Sequence, residues 1–135
     1  MRTSGSLKNN KVITKNTKIY IAGHKGMVGQ AIKRSFLKNN YKNLIYASKN
    51  ELDLRDYLAV KEWFKVQNPD VVIIAAAKVG GILANSLYPA EFLFDNLKIQ
   101  TNLIENAFKN NVKRLLFLGS SCIYPKHSNH PIKED

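Results

Sequence analysis

The chain has 135 residues, of which 44% are hydrophobic, and 21 Lys and Arg against 10 Asp and Glu give a formal net charge of +11. This is enough apolar material for the core of one domain, and no apolar run approaches the roughly 20 residues that a membrane-spanning helix needs. The single cysteine, Cys122, excludes an internal disulfide and favours a reducing, cytoplasmic compartment.

Residues 1–17 are basic and rich in asparagine, and they lack the continuous apolar stretch of a secretory signal. We therefore expect a disordered basic tail at 1–17 and one folded domain over 18–135. The lysines are scattered along predicted helix faces without interleaved aromatic residues, so nucleic acid is not a predicted partner. A solvated lysine-rich surface accounts for most of the excess charge, and a basic surface also suits a polyanionic dinucleotide.

Hydrophobic periodicity alternates between strand and helix in the manner of repeated βαβ units. Residues 71–75 are apolar on both faces, which is typical of a central parallel strand covered by helices. Asp56 is a predicted helix N-cap. The pattern predicts an α/β fold, a doubly wound Rossmann-like parallel sheet with strand order 3-2-1-4-5. The strands are expected at 18–22, 44–47, 52–54, 71–75 and 114–119, and the helices at 27–38, 56–67 and 89–110.

A glycine-rich turn follows the first predicted strand, with the sequence Gly23-His24-Lys25-Gly26-Met27-Val28-Gly29. Gly23 permits a tight turn, Gly26 lets the backbone approach a pyrophosphate, and Gly29 lets the next helix pack closely on the sheet. The helix N-terminus then offers free N–H groups to the phosphates. Glycines also mark plain turns, but their place between strand and helix favours a cofactor site that includes Lys25, Met27 and Val28.

The end of the second predicted strand bears on the choice of cofactor. NAD sites usually place an acidic residue there, whereas this chain has Ser48 and Lys49, which suit a 2′-phosphate and favour NADP(H). Lys49 could instead be a solvated loop residue. Asp53, followed by Leu54, is expected beside the adenine. After the central strand, Ala76, Ala77 and Lys78 would let the cofactor pass close to the backbone, although helix packing requires small residues too.

Three blocks of residues form one pattern. They are the glycine turn, Ala75-Ala76-Ala77-Lys78-Val79-Gly80-Gly81-Ile82 with Ala84-Asn85 and Tyr88-Pro89-Ala90, and Leu118-Gly119-Ser120-Ser121-Cys122-Ile123-Tyr124-Pro125. Together these blocks resemble the GDP-L-fucose synthase family. Members of that family are extended short-chain dehydrogenases of the NAD-dependent epimerase/dehydratase type. They epimerise GDP-4-keto-6-deoxy-mannose at C3 and C5 and reduce C4 with NADPH.

The resemblance implies roles for particular residues. Ser120 would hydrogen-bond the keto oxygen and Cys122 would be the epimerisation base, although spacing alone makes Cys122 a buried structural cysteine. The resemblance further implies a GDP-sugar substrate and a homodimer for the full-length family. No metal site is predicted, and the lack of a long apolar run in the sequence argues against a membrane partner. The substrate-side loop would comprise Val79, Gly80, Gly81 and Asn85.

The family's Tyr-x-x-x-Lys motif does not follow Ser120 in this sequence. Tyr57 and Lys61 have that spacing, but they lie upstream on a predicted outer helix and are interpreted as a coincidence. The chain therefore resembles the N-terminal cofactor-binding part of such a synthase, C-terminally truncated and inactive by itself. The alternatives are a catalytically silent NADP-binding module and another nucleotide-sugar epimerase or dehydratase.

Overall fold

Strands and helices alternate along the chain in the computed structural model, which describes residues 13–120, 123–125, 127–128 and 131–133. Asp56 caps its helix as predicted, because its carboxylate accepts from the N–H groups of Leu58 and Ala59 at 2.9 and 3.1 Å. In chain order the elements are β1 (Ile19–Ala22), α1 (Met27–Lys38), β2 (Leu44–Ile45), α2 (Tyr57–Gln67), β3 (Val71–Ile74), α3 (Ile82–Leu87), α4 (Pro89–Lys109) and β4 (Arg114–Phe117).

The described strands form one parallel four-stranded sheet in the order β2-β1-β3-β4. Ile19 of β1 pairs with Leu44 on one side and Val71 on the other, and Val71 pairs in turn with Arg114 of β4. This confirms the doubly wound α/β fold. The order also agrees with the prediction for the four strands that form, since β3 and β4 are the fourth and fifth predicted strands.

The predicted strand at 52–54 was wrong. The N–H of Leu52 bonds to the carbonyl of Ser48 at 2.9 Å, and the N–H of Asp56 bonds to the carbonyl of Asp53 at 3.0 Å. These bonds close consecutive turns, so the backbone groups are satisfied locally instead of in a ladder. The side chain of Asn102 on α4 donates to the carbonyl of Leu54 at 2.9 Å and fixes this loop against the helix.

Two apolar clusters cover opposite faces of the sheet because side chains alternate along each strand. On one face, Tyr20 and Val72 pack with Phe64 of α2 and Leu103 of α4. The opposite face carries the second cluster, in which alternate β1 and β3 residues pack against Ile32 and Phe36 of α1. The central strands are therefore buried on both sides. At the β4 edge Leu115, Leu116 and Phe117 are 39%, 51% and 46% exposed.

Packing begins before Lys18, the predicted start of the domain. Thr17 N–H donates to the Thr14 carbonyl at 3.1 Å, and Ile13 packs partly buried against the second cluster. The remainder of the predicted tail, residues 1–12, lies outside the described residues. Among the helices of the described part of the chain, none has the length and apolar character to cross a membrane.

The hydroxyl of Tyr20 is buried in the core and has no hydrogen-bond partner among the described residues. The Tyr20 ring lies 4.1 Å from the Trp63 ring, centroid to centroid, and burial raises the pKa of its phenol. Tyr20→Phe removes the unpaired oxygen and keeps the ring, so we expect the free energy of unfolding to rise by about 1 kcal/mol. Urea unfolding measures this.

Tyr41→Phe is the control for that substitution. Tyr41 is only partly buried and stacks edge-on with Phe36 at 4.9 Å between ring centroids, so we expect a change within about 0.5 kcal/mol. A loss of stability in Tyr20→Phe would show that the hydroxyl has a hydrogen-bond partner in solution.

Candidate functional site

A cavity of about 450 Å³ opens at the carboxyl edge of the sheet, where the loops after β1, β2 and β3 converge. In parallel α/β sheets this edge is where ligands bind. The cavity is lined by Gly23, His24, Lys25, Gly26, Ala47, Ser48, Lys49, Leu52, Asp53, Leu54, Arg55, Ala75, Ala76, Ala77, Lys78, Asp95 and Ile99. The structure thus brings together ten of the thirteen predicted cofactor residues, while Met27, Val28 and Gly29 form the start of α1 and do not line the cavity.

The glycine turn is built on two backbone positions that exclude a side chain. Gly23 has φ +83°, and a Cβ there would lie 2.6 Å from the carbonyl oxygen of Ala75 on the neighbouring loop. A Cβ at Gly29 would overlap the Gly23 carbonyl oxygen and come within 2.9 Å of the Cα of His24. Helix α1 can therefore start directly against the turn only with glycine at both positions.

Gly26 differs from these two glycines, since an added Cβ would have only the Gly23 carbonyl oxygen nearby, at 3.4 Å. Gly26 is the N-cap of α1, and neither a side-chain cap bond nor an acidic residue occupies the described first turn. The side chain of Met27 is 86% exposed and does not line the cavity. The start of α1 consequently presents uncapped N–H groups and a positive dipole end to an anion.

At the end of β2, Ser48 is held by Glu51. The backbone N–H and the hydroxyl of Ser48 both donate to the Glu51 carboxylate, at 2.7 and 2.6 Å. These bonds, with weaker contributions from the charges of Lys25 and His24, lower the pKa of Glu51. Lys49 is exposed beside this turn and lines the cavity.

The loop after β2 contains an ion pair that also lines the cavity. Arg55 Nε and Nη2 donate to the two carboxylate oxygens of Asp53 at 2.9 and 2.6 Å, and the Arg55 N–H donates to the same group at 3.0 Å. Hydrogen bonding to the Arg55 side chain is the main reason that the pKa of Asp53 falls to about 2. Asp53 is therefore a fixed carboxylate at the position expected for the adenine.

Asp95 and Asn96 of α4 hold the loop that follows β3. Asp95 accepts from Lys78 Nζ at 2.9 Å and from Arg55 Nη1 at 3.2 Å, and its side chain is 17% exposed. The Asn96 amide accepts from the Lys78 N–H at 2.8 Å and donates to the Lys78 carbonyl at 2.9 Å. The loops after β2 and β3 are thus joined through one helix, which fixes the two walls of the cavity relative to each other.

His24, Arg55 and Asp95 also line the cavity, although none of them was among the predicted site residues. His24 stacks on Tyr46 with 5.0 Å between ring centroids, and burial, followed by the charges of Lys33 and Lys25, lowers its pKa. Arg55 stands two residues after Asp53, where an Asx-turn partner is common. Asp95 lies on the inward face of α4, one helical turn before Ile99. A charged residue on the inward face of a helix was the sequence feature that could have indicated this site residue.

The predicted substrate-side residues lie outside the cavity lining. The Asn85 side chain donates to the carbonyls of Gly80 and Gly81 at 2.9 and 3.1 Å and thereby closes its own loop. Val79 is 83% exposed.

Ser120 follows β4 at the same edge of the sheet, and its carbonyl accepts from the N–H of Ile123 at 3.3 Å. Cys122, the predicted base, lies outside the described residues. The Tyr57 hydroxyl contacts Lys109 and Glu105 on α4 and does not line the cavity, in keeping with a coincidental Tyr-x-x-x-Lys spacing.

Residues 19–135 match the NAD dependent epimerase/dehydratase family. The chain belongs to this family. GDP-L-fucose synthase 1 of Arabidopsis thaliana is 52% identical over 120 residues, covering 89% of this chain and 37% of the plant protein. The GDP-L-fucose synthase of Escherichia coli K12 is 48% identical over 117 residues, covering 87% of this chain and 36% of that protein.

One relative of known structure was solved with a bound cofactor. MlghC, the GDP-mannoheptose C4 reductase from Campylobacter jejuni, was solved with NADP bound; it is 42% identical, with a TM-score of 0.86, and the match covers 90% of this chain and 38% of that one. This member of the epimerase/dehydratase family therefore spans under two fifths of the length of the relatives it matches.

Proposed function

We propose that this chain is the NADP(H)-binding part of a GDP-L-fucose synthase, an enzyme that epimerises GDP-4-keto-6-deoxy-mannose at C3 and C5 and reduces C4. One observation carries the proposal: a single cavity joins the uncapped start of α1 to Ser48 and Lys49 at the end of β2. Identity near 50% to GDP-L-fucose synthases supports this substrate class.

The placement of the cavity residues supports a dinucleotide in a defined direction. The N–H groups at the start of α1 would bind the pyrophosphate, and Gly26 leaves room for its approach. Asp53 and Leu54 would flank the adenine, and Ala76, Ala77 and Lys78 would line the path toward the nicotinamide. Ser48 and Lys49 would bind a 2′-phosphate, which is the group that distinguishes NADP from NAD.

When bound, NADPH would supply the hydride for reduction at C4. The hydroxyl of Ser120 would donate a hydrogen bond to the C4 ketone oxygen and so favour both the enolate during epimerisation and the alkoxide during reduction. Cys122 would remove a proton next to the ketone as a thiolate base. These two roles rest on the resemblance of residues 118–125 to the synthases.

A GDP-sugar C4 reductase is the second candidate, because the NADP-bound GDP-mannoheptose C4 reductase is 42% identical over the same region. Such a reduction needs a hydride and a proton donor but no base next to the ketone. In a catalytically active enzyme that contains this chain, incorporation of solvent deuterium at C3 and C5 separates the two functions, since epimerisation requires exchange at both carbons and reduction alone does not.

Equilibrium binding of NADPH and NADH to the 135-residue polypeptide tests the cofactor assignment. We expect saturable binding of NADPH, tighter than that of NADH, because a cation and a hydroxyl stand where NAD sites carry an acid. We expect no NADPH oxidation with GDP-4-keto-6-deoxy-mannose by this polypeptide alone, because no Tyr-x-x-x-Lys follows Ser120 in it. General acid assistance is typically worth about 10²–10⁴ in rate.

Failure to bind either dinucleotide would overturn the proposed function. Turnover by the polypeptide alone would show that another residue, such as Tyr124, supplies the proton. Ultraviolet absorbance of the reduced nicotinamide follows the oxidation directly.

A further inference from the structure

The proposed 2′-phosphate site at Ser48 and Lys49 contains a carboxylate of the chain itself. Glu51 stands three residues after Ser48 and accepts both from its N–H at 2.7 Å and from its hydroxyl at 2.6 Å. Ser48 has only these two polar hydrogens. Both donors of the residue proposed to bind a 2′-phosphate are therefore directed to a group of the chain itself.

The charged residues around Glu51 add to its competition with a 2′-phosphate. Lys25 and His24 of the glycine turn are close enough to Glu51 to lower its pKa, and the pKa of His24 is itself lowered, mainly by burial. The carboxylate thus neutralises part of the positive field that the Lys25 and Lys49 side of the cavity would offer to a phosphate dianion. Lys25 and Lys49 both line that cavity.

We propose that Glu51 is a specificity-determining residue that weakens binding of the 2′-phosphate and so limits the preference of the site for NADP(H) over NAD(H). This inference rests on the proposed cofactor function. A 2′-phosphate at Ser48 must displace the carboxylate from the two Ser48 donors or share the site with it, and two like charges in contact repel. NAD(H) has a neutral 2′-hydroxyl at that position, so the Glu51 carboxylate does not repel it.

The competing explanation gives Glu51 only a local structural role, because its bonds to Ser48 close the turn that leads to Leu52. Glu51→Gln separates the two explanations. A glutamine side-chain oxygen still accepts from the Ser48 donors, so the turn is kept while the negative charge is removed. A purely structural role predicts no change in the ratio of the two affinities.

The experiment measures dissociation constants of NADPH and NADH for the parent chain, Glu51→Gln and Glu62→Gln at low ionic strength. Glu62→Gln is the matched control, because Glu62 is an exposed residue of α2 paired with Lys65 and does not line the cavity. We expect Glu51→Gln to tighten NADPH about three- to tenfold with NADH nearly unchanged, and the gain to shrink as salt rises. Glu62→Gln should leave the ratio of the two constants unchanged.

An unchanged or reduced preference for NADPH in Glu51→Gln, with the parent still preferring NADPH, would overturn this inference alone. A parent chain that binds neither dinucleotide would overturn the proposed function together with it. An equal gain of NADPH affinity in Glu62→Gln would show that the effect comes from the net charge of the protein. It would also overturn the assignment to Glu51.

Discussion

Gly26→Val is expected to abolish binding of NADPH and NADH alike while the fold is retained. A Cβ at Gly26 meets only one atom, the Gly23 carbonyl oxygen at 3.4 Å, and Gly26 lines the cavity, so we expect the fold to accommodate the branched side chain and the side chain to occupy cavity space. There it fills the space through which the pyrophosphate reaches the N–H groups of α1. Loss of two charge-assisted hydrogen bonds, each worth about 1.5–3 kcal/mol, corresponds to a drop in affinity of at least about 100-fold.

Two further glycine variants are the controls for Gly26→Val. A Cβ at Gly29 overlaps the backbone of the turn, so Gly29→Ala should lower the free energy of unfolding by about 1–3 kcal/mol and weaken binding only through that loss. A Cβ at Gly81 meets no atom within 4 Å, and Gly81 is the N-cap of α3, where Ala is less favourable than Gly, so Gly81→Ala should lower stability by less than about 1 kcal/mol and leave cofactor affinity unchanged. Calorimetric titration and thermal unfolding measure both properties. Retained binding in Gly26→Val would place the pyrophosphate elsewhere.

Helices α1, α2 and α4 and the central strands could be predicted because each has a local signal. Asp56 provides a cap at the start of α2, and Asn68 ends that helix in the left-handed conformation at φ 42°. Continuous apolar runs mark β1 and β3, which are buried on both faces. Tertiary packing agrees with local preference at all these positions, so periodicity and capping were sufficient.

Two segments had misleading local patterns. Residues 52–54 alternate like a strand, but Leu52 packs in the core cluster while the backbone on either side is closed by turn hydrogen bonds. Helix α3 was not predicted, because its apolar residues Ile82 and Leu83 are 90% and 72% exposed and mark no buried face. In both places the burial of the side chains and the hydrogen bonding of the backbone follow different patterns. Hydrophobic periodicity indicates only which side chains are buried.

Within the candidate site, a contact could be predicted only where its two residues are close together in the sequence. The bonds of Glu51 to Ser48 span three residues and follow the pattern of a capping box, so the sequence contained a usable signal for them. The contact of Arg55 with Asp95 joins residues 40 positions apart. Such a pair depends on how α4 crosses the sheet, and a single sequence without the fold carries no information about it.

Lys49→Glu is expected to reverse the cofactor preference. Lys49 is an exposed cavity residue at the end of β2, and the substitution exchanges attraction for repulsion of a 2′-phosphate dianion. At low ionic strength two unit charges at 4 Å in water interact by about 1 kcal/mol, and exchanging attraction for repulsion changes this by about 2 kcal/mol for each phosphate charge, so we expect NADPH affinity to fall at least about 30-fold. NADH affinity should change much less, because NADH has no 2′-phosphate.

Lys98→Glu is the matched control for Lys49→Glu, since Lys98 is exposed on α4 outside the cavity and its replacement alters the net charge equally. The NADPH preference of the parent chain should itself shrink as salt rises, because the contact between Lys49 and the phosphate is exposed to solvent and screened within about 10 Å at 0.1 M salt. Dissociation constants for both cofactors, measured across a salt series, test both statements. Equal dissociation constants of NADPH and NADH for the parent chain at low salt would show that Ser48 and Lys49 do not select the cofactor. An equal loss of NADPH affinity in Lys98→Glu would show that the effect comes from the overall positive charge of the protein.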